Sequence, residues 1–121
     1  VNNLKKIGID ASKPFLETAP WVIAVFAERH GIDEKNARQK HYHVTESIGI
    51  ATGFLINAFH QLGIATLTHT PNPMKFLNQI LQRLGNERPY VLLVLGRPAK
   101  SAMVPRAATV KKSLEHIAAF I

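Results

Sequence analysis

Residues 41–71 read HYHVTESIGIATGFLINAFHQLGIATLTHTP. The stretch begins as a long apolar helix, stops at Gly63 and runs on into a short strand of alternating threonines. Within the predicted helix, about residues 41–62, Val44, Ile48, Ala51, Leu55, Ala58 and Leu62 recur at spacings of three and four, which marks one apolar stripe. Ile50, Phe54 and Phe59 add apolar surface elsewhere around the helix, so more than one partner must cover it. Gly49, Ala51 and Gly53 remove bulk and permit a close approach; Gly49 and Gly53 fall inside the helix, so their spacing reads as packing and not as a nucleotide-binding turn. Gly63 suits the position after the helix, where a left-handed backbone carries no Cβ penalty. In the strand that follows, Ala65, Leu67 and His69 share one face and Thr66, Thr68 and Thr70 the other, until Pro71 ends the ladder.

Outward from this stretch, the apolar run Trp21–Ala27 after Pro20 predicts a strand buried on both faces. The segment between, ERHGIDEKNARQK at 28–40, mixes charges of both signs and predicts a solvated loop. On the C-terminal side, Asn72–Pro73 predicts a helix start. Leu77, Ile80, Leu81 and Leu84 continue that helix to Gly85. YVLLVLG at 90–96 predicts a second buried strand. At the N-terminal end, Leu4 and Ile7 share a helix face that Gly8 ends, and Pro14 suits the first turn of a short helix starting near Ser12 or Lys13. From Arg97 the chain is expected to be extended up to a short apolar segment, Ser113–Ile121, whose Ile117, Phe120 and Ile121 look for a surface to dock on. The order helix, strand, long helix, strand, helix, strand, tail is a layered arrangement of α and β elements.

The composition sets limits. The chain has 121 residues, one domain's worth, with 46% apolar and 19% charged residues, which is a globular balance. Cysteine is absent, so no disulfide or thiolate metal site is possible. No apolar run approaches the roughly 20 residues that span a bilayer, and no signal peptide is read at the N-terminus, so a soluble cytoplasmic protein is expected. The chain begins with Val1 and not with methionine, so an upstream segment is expected. A formal charge of +7 favours an anionic partner, although the basic residues are spread along the chain and not gathered into a stripe.

The candidate chemistry is sparse. His41 and His43 point to different helix faces, and His60 and His116 lack a ligand partner three or four residues away, so no metal site is expected. No Gly-x-Ser-x-Gly turn supports a serine nucleophile. Thr68-His69-Thr70-Pro71 lies between a strand and a helix start, where hydroxyls and backbone N–H groups meet a polar ligand; the alternative is that the threonines only favour β structure. Lys111 and Lys112 can neutralise a phosphate or simply be solvated.

Taken together, KPFLETAP at 13–20, HYHVTESI at 41–48, GIATLTHTP at 63–71, the turns at Leu84-Gly85 and Gly96-Arg97-Pro98, and Ala108-Thr109-Val110 with the lysines after it resemble the FMN-dependent nitroreductase superfamily, in its iodotyrosine deiodinase branch. The resemblance covers essentially the whole chain and the C-terminal part of a family member, so residues 1–121 are expected to form the C-terminal part of a single nitroreductase-like domain. It implies an α+β fold of three layers, with a mixed or antiparallel sheet flanked by helices and a long central helix at a dimer interface. It also implies a homodimer with two FMN molecules at the subunit interface and an interlocked C-terminal tail. Thr68, His69 and Thr70 match the segment lying along the flavin, and Thr70 matches the residue whose hydroxyl bonds flavin N5 and tunes its electronics. Lys111 matches a basic residue on the FMN phosphate, and Lys13 the lysine that grips the carboxylate of an amino-acid substrate. The family's N-terminal basic FMN-phosphate motif, of the Arg-x-Ser-x-Arg kind, has no counterpart in these residues, nor has the lid over the substrate. The implied activity is transfer of electrons from reduced FMN to a nitroaromatic, quinone or halotyrosine, with NAD(P)H as the donor. The alternatives are a dimeric scaffold without flavin and a basic module for nucleic acid; scattered charge and the lack of an aromatic platform argue against nucleic acid.

Overall fold

A computed structural model describes residues 12–121. The expected helix face of Leu4 and Ile7 and its stop at Gly8 lie outside the described residues. The chain divides into two compact units, Phe15–Pro98 and a smaller one that holds the tail Ala99–Ile121.

In the larger unit, a short helix α1 (Phe15–Thr18) follows Pro14 directly and leads into β1 (Trp21–Glu28). A hairpin comes next, β2 (His30–Ile32) and β3 (Arg38–Lys40), then the long helix α2 (Val44–Gln61), β4 (Ala65–His69), a short helix α3 (Phe76–Ile80) and β5 (Glu87–Gly96). The sheet order is β1-β5-β4, with both pairings antiparallel. The last strand in sequence is therefore the central one. Val91 to Leu95 are all buried, and Leu93 is fully excluded from solvent. A strand apolar on both faces belongs in the middle, where backbone groups on both edges also find partners.

Val91, Leu93 and Leu95 share one face, and Ile23 and Val25 of β1 with Leu55, Ile56 and Phe59 of α2 pack against it. The buried side of α2 therefore runs through Thr52, Ile56 and Phe59 and not through Ala51, Ala58 and Leu62, which are exposed. The sequence stripe is off by about one residue because it skips the polar Thr52. That hydroxyl donates to the Ile48 carbonyl one turn earlier, at 2.7 Å, so burying it leaves no unpaired group. Ile50 and Phe54 are left outward at 63% and 71% exposure, whereas Phe59, which the sequence grouped with them, packs on the sheet, and Leu62 of the expected stripe is 71% exposed.

Each end of α2 has a local cause. His43 adopts a left-handed backbone (φ 53°), so the helix starts at Val44 and not at His41. At the far end Gly63 has φ 70°, its N–H donates to the His60 carbonyl, and that of Ile64 donates to Phe59, which is a Schellman stop. Gly49 faces a side chain, the Tyr90 hydroxyl, 3.2 Å from where its Cβ would lie, and Gly53 faces nothing within 4 Å.

Four other expectations are corrected. β1 is a sheet edge, with Trp21 72% exposed, because β5 takes the centre. Residues 28–40 form a hairpin: the Asp33 carboxylate accepts the N–H groups of Lys35 (2.9 Å) and Ala37 (2.8 Å) and so sets the turn. α3 begins at Phe76 and not at Asn72–Pro73. It stops where Gln82 takes a left-handed backbone and the Arg83 N–H donates back to Asn78, ahead of Gly85. In the smaller unit α4 (Arg106–Thr109) interrupts the stretch expected to be extended; a 3₁₀ turn (Leu114–His116) lies in the terminal segment, whose Ile117, Phe120 and Ile121 are exposed.

Replacing Leu93 by Ala is expected to cost about 2–5 kcal/mol, the usual loss for a fully buried leucine. Gly63→Ala should cost about 1 kcal/mol, from the left-handed backbone alone. Urea unfolding of both variants checks the two figures.

Candidate functional site

β4 pairs with β5 from Ala65 opposite Gly96 to His69 opposite Leu92. Its pairing stops at His69, so Thr70 stands free at the strand end. No described residue hydrogen-bonds the Thr68 or Thr70 hydroxyl. The His69 ring is half-buried, and Phe15 meets it edge-to-face with centroids 5.5 Å apart. The short helix after Pro14 thereby fixes one side of the segment whose hydroxyls are unused.

Thr70 borders two adjoining clefts of about 660 and 710 Å³, which share Arg29, Thr70, Met74, Arg88 and Pro89. The first is also lined by the basic strand β3 and by His41. His41 is held by its own backbone, whose N–H donates to the Arg29 carbonyl at 3.3 Å, and its ring Nδ1 lies 3.3 Å from the Glu28 carbonyl. Gly31 makes room for that ring: a Cβ there would sit 3.1 Å from Nε2. On the second cleft, the Asn78 amide donates to the carbonyls of Leu84 and Glu87. Arg83 clamps the Glu87 carboxylate with two bonds of 2.6 Å and holds its pKa below the usual carboxylate value. Among the described residues, no three His, Asp or Glu side chains gather as a metal site requires.

No family model matches the sequence. The iodotyrosine deiodinase of Haliscomenobacter hydrossis is 50% identical over 105 residues, covering 87% of this chain and 47% of that protein. That of Nematostella vectensis is 37% identical over 118 residues, 97% of this chain and 44% of that protein. A crystal structure of oxidized iodotyrosine deiodinase bound to FMN and 3-iodo-L-tyrosine superimposes with a TM-score of 0.71 at 23% identity, covering 92% of this chain and 55% of that one. The chain is a homologue of the iodotyrosine deiodinases and has their nitroreductase-like α+β fold. It spans about half the length of the curated relatives it matches.

Of the residues singled out from the sequence of this deiodinase homologue, Thr68, His69 and Thr70 come together on one strand end. Lys13 and Lys111 belong to the smaller unit. Lys13 is half-buried, with its ammonium donating to the Ser12 carbonyl at 3.4 Å, and Lys111 is exposed. The basic lining from β3 is not legible in the mixed-sign segment until the hairpin turn is known. The one available signal is the period-2 spacing of Arg38 and Lys40.

His30 on β2 has a ring Nδ1 shielded from solvent with no hydrogen-bond partner among the described residues. Lost solvation, then the Arg38 and Arg29 guanidiniums, push its pKa below the ordinary 6.5, and Glu28 opposes them. The unfolded chain therefore takes up this proton at a higher pH than the folded one. Stability should be fully present above pH 6.5 and decline as the pH falls through the lower folded value. In His30→Gln that part of the acid-side slope should vanish from the pH dependence of urea midpoints.

Proposed function

We propose that this chain is part of an FMN-dependent oxidoreductase that passes electrons to an aromatic electrophile, with a halotyrosine as the favoured substrate and nitroaromatics and quinones as the wider class. The observation that carries the reading is 50% identity to an iodotyrosine deiodinase across 87% of the chain. The residues at hand fit the group: the Thr68 and Thr70 hydroxyls are unused, and His69 beside them is steadied by Phe15. Bound FMN would supply the redox chemistry that no side chain of this sequence provides.

In this reading Thr68, His69 and Thr70 line the flavin, and the Thr70 hydroxyl is the catalytic group at N5. Lys111 neutralises the FMN phosphate as a point charge, without the bidentate fork of an arginine. Lys13 holds the carboxylate of the amino-acid substrate. The electron donor is a reduced nicotinamide dinucleotide. The protein works as a homodimer, with the outward Ile50, Phe54 and Leu62 of α2 packed on a second subunit and the apolar tail embracing it. The chain is then the C-terminal part of one nitroreductase-like domain. The proposed location is the cytoplasm; among the described residues no helix is long and apolar enough to cross a membrane.

Protein purified with added FMN should be yellow and should reduce 3-iodotyrosine when given a chemical reductant. Thr70→Ala removes one hydrogen bond of about 1–2 kcal/mol, so turnover should fall roughly five- to thirtyfold with the flavin still bound. Lys13→Ala should weaken halotyrosine binding about tenfold or more and leave a nitroaromatic without a carboxylate unaffected. Equal halotyrosine affinity in wild type and Lys13→Ala sinks the halotyrosine assignment. Failure of the protein to take up FMN under any condition sinks the flavin reading and leaves the dimeric scaffold.

A further inference from the structure

Residues 28–40 carry mixed charge in sequence, but the hairpin sorts it. Asp33 is used up in the turn, where its carboxylate caps Lys35 and Ala37, and Glu34 and Lys35 sit at the tip. On β3, Arg38 and Lys40 are two residues apart and so share a strand face. Both line the cleft, as do Arg29 before β2, His41 after β3 and Arg88 at the start of β5. Arg88 comes from 48 positions further along the chain than Lys40 but lies opposite Ala27 in the sheet, which brings it to the hairpin.

Among the described residues no Asp or Glu lines this cleft. Glu87, on the adjoining cleft, is clamped by Arg83 at 2.6 Å, and Glu28 accepts a bond from the Asn86 amide at 3.2 Å. Among the described residues Arg29, Arg38, Lys40 and Arg88 form no ion pair; the Lys40 ammonium lies over the Tyr42 ring at 5.1 Å. The pKa of His30 is lowered first by lost solvation and then by Arg38 and Arg29, with Glu28 opposing them. Like charges gathered around a concavity repel one another unless an anion enters.

The size and floor narrow the ligand. A cleft of about 660 Å³ is in the range of small-molecule sites and far larger than one phosphate needs. Val44, Met74, Pro89 and Tyr90 give it an apolar floor, while the Thr45 hydroxyl adds a donor. One phosphate carries roughly −1.5 to −2 at neutral pH, which offsets only about half of the permanent charge from three arginines and a lysine. We propose that the cleft bounded by Arg29, Arg38, Lys40, His41 and Arg88 binds a nucleotide-sized organic anion carrying a diphosphate, with the ring system on the apolar floor and the phosphates among the guanidiniums. The diphosphate belongs either to a free nucleoside diphosphate or to a dinucleotide; the cleft chemistry is common to both.

The test is calorimetric titration of the full 121-residue chain with ADP, and in parallel with NADH. Saturable one-to-one binding of ADP is expected, weakening as salt rises. Arg38→Glu and Arg88→Ala should each weaken it by roughly tenfold or more. Lys35→Glu, which changes charge at the hairpin tip outside the cleft, should leave it unchanged. Far-ultraviolet circular dichroism confirms that each variant is folded, and Lys40→Gln, a milder change on the same face, replaces any that is not. NADH binding more tightly than ADP identifies a dinucleotide as the source, and the reverse order identifies the free nucleotide; either supports the site. No ADP binding, or equal weakening by Lys35→Glu, overturns it. So does binding that grows with the length of a DNA oligonucleotide, which means a nucleic-acid surface. Displacement of ADP by FMN, with FMN affinity lost in Arg38→Glu, also overturns it, because the cleft would then be the flavin's own phosphate seat. Flavin uptake is read separately at its visible absorbance, so a failed ADP titration with intact FMN binding counts against this site alone.

Discussion

The larger unit is built around keeping both faces of one strand dry. Val91 to Leu95 are each at most 7% exposed, and burying an aliphatic side chain is worth about 1.5–3 kcal/mol. A strand buried in this way must also satisfy its backbone on both edges. That requirement draws in β1 and β4 from either side, so the last strand in sequence becomes the middle strand of the sheet. The helix α2 then covers the Val91, Leu93 and Leu95 face with Leu55, Ile56 and Phe59.

What the chain presents for function follows from this arrangement. With β5 central, β4 is an edge, and its pairing ends at His69 opposite Leu92. Thr70 is therefore released at the rim, where no described residue bonds its hydroxyl. The start of β5 carries Arg88 to the level of Ala27, beside the hairpin that leads into α2. A threonine-bearing strand end and a cluster of cations thus border one concavity, although they come from separate parts of the sequence.

Much of the fold was legible because its causes are local. The Gly63 stop, the buried run 90–96 and the alternation at 65–70 each rest on a backbone preference or a period that a short window contains. Three of the misreadings come from residues used in a way their type does not announce. Thr52 is buried because its hydroxyl bonds its own helix, which rotates the packed face of α2. Asp33 caps two amides and turns a charged loop into a hairpin. Gln82 takes the left-handed stop that Gly85 seemed made for. In the candidate site, Thr68, His69 and Thr70 were readable as a strand end, whereas Lys111 stood out only as one of a basic pair and Lys13 only through family resemblance.

By itself the sequence determined the element types, the apolar strands, the end of the long helix and the kinship with the deiodinases, because propensity, period and aligned motifs are properties of neighbouring residues. Only the tertiary structure decided which strand is central, which side of α2 faces the sheet and where the positive charge collects. Those outcomes depend on pairings such as Trp21 with Leu95 and Ala27 with Arg88, between residues more than 60 positions apart. A net charge of +7 is a sum that has no direction; the hairpin turn and the sheet register supply it.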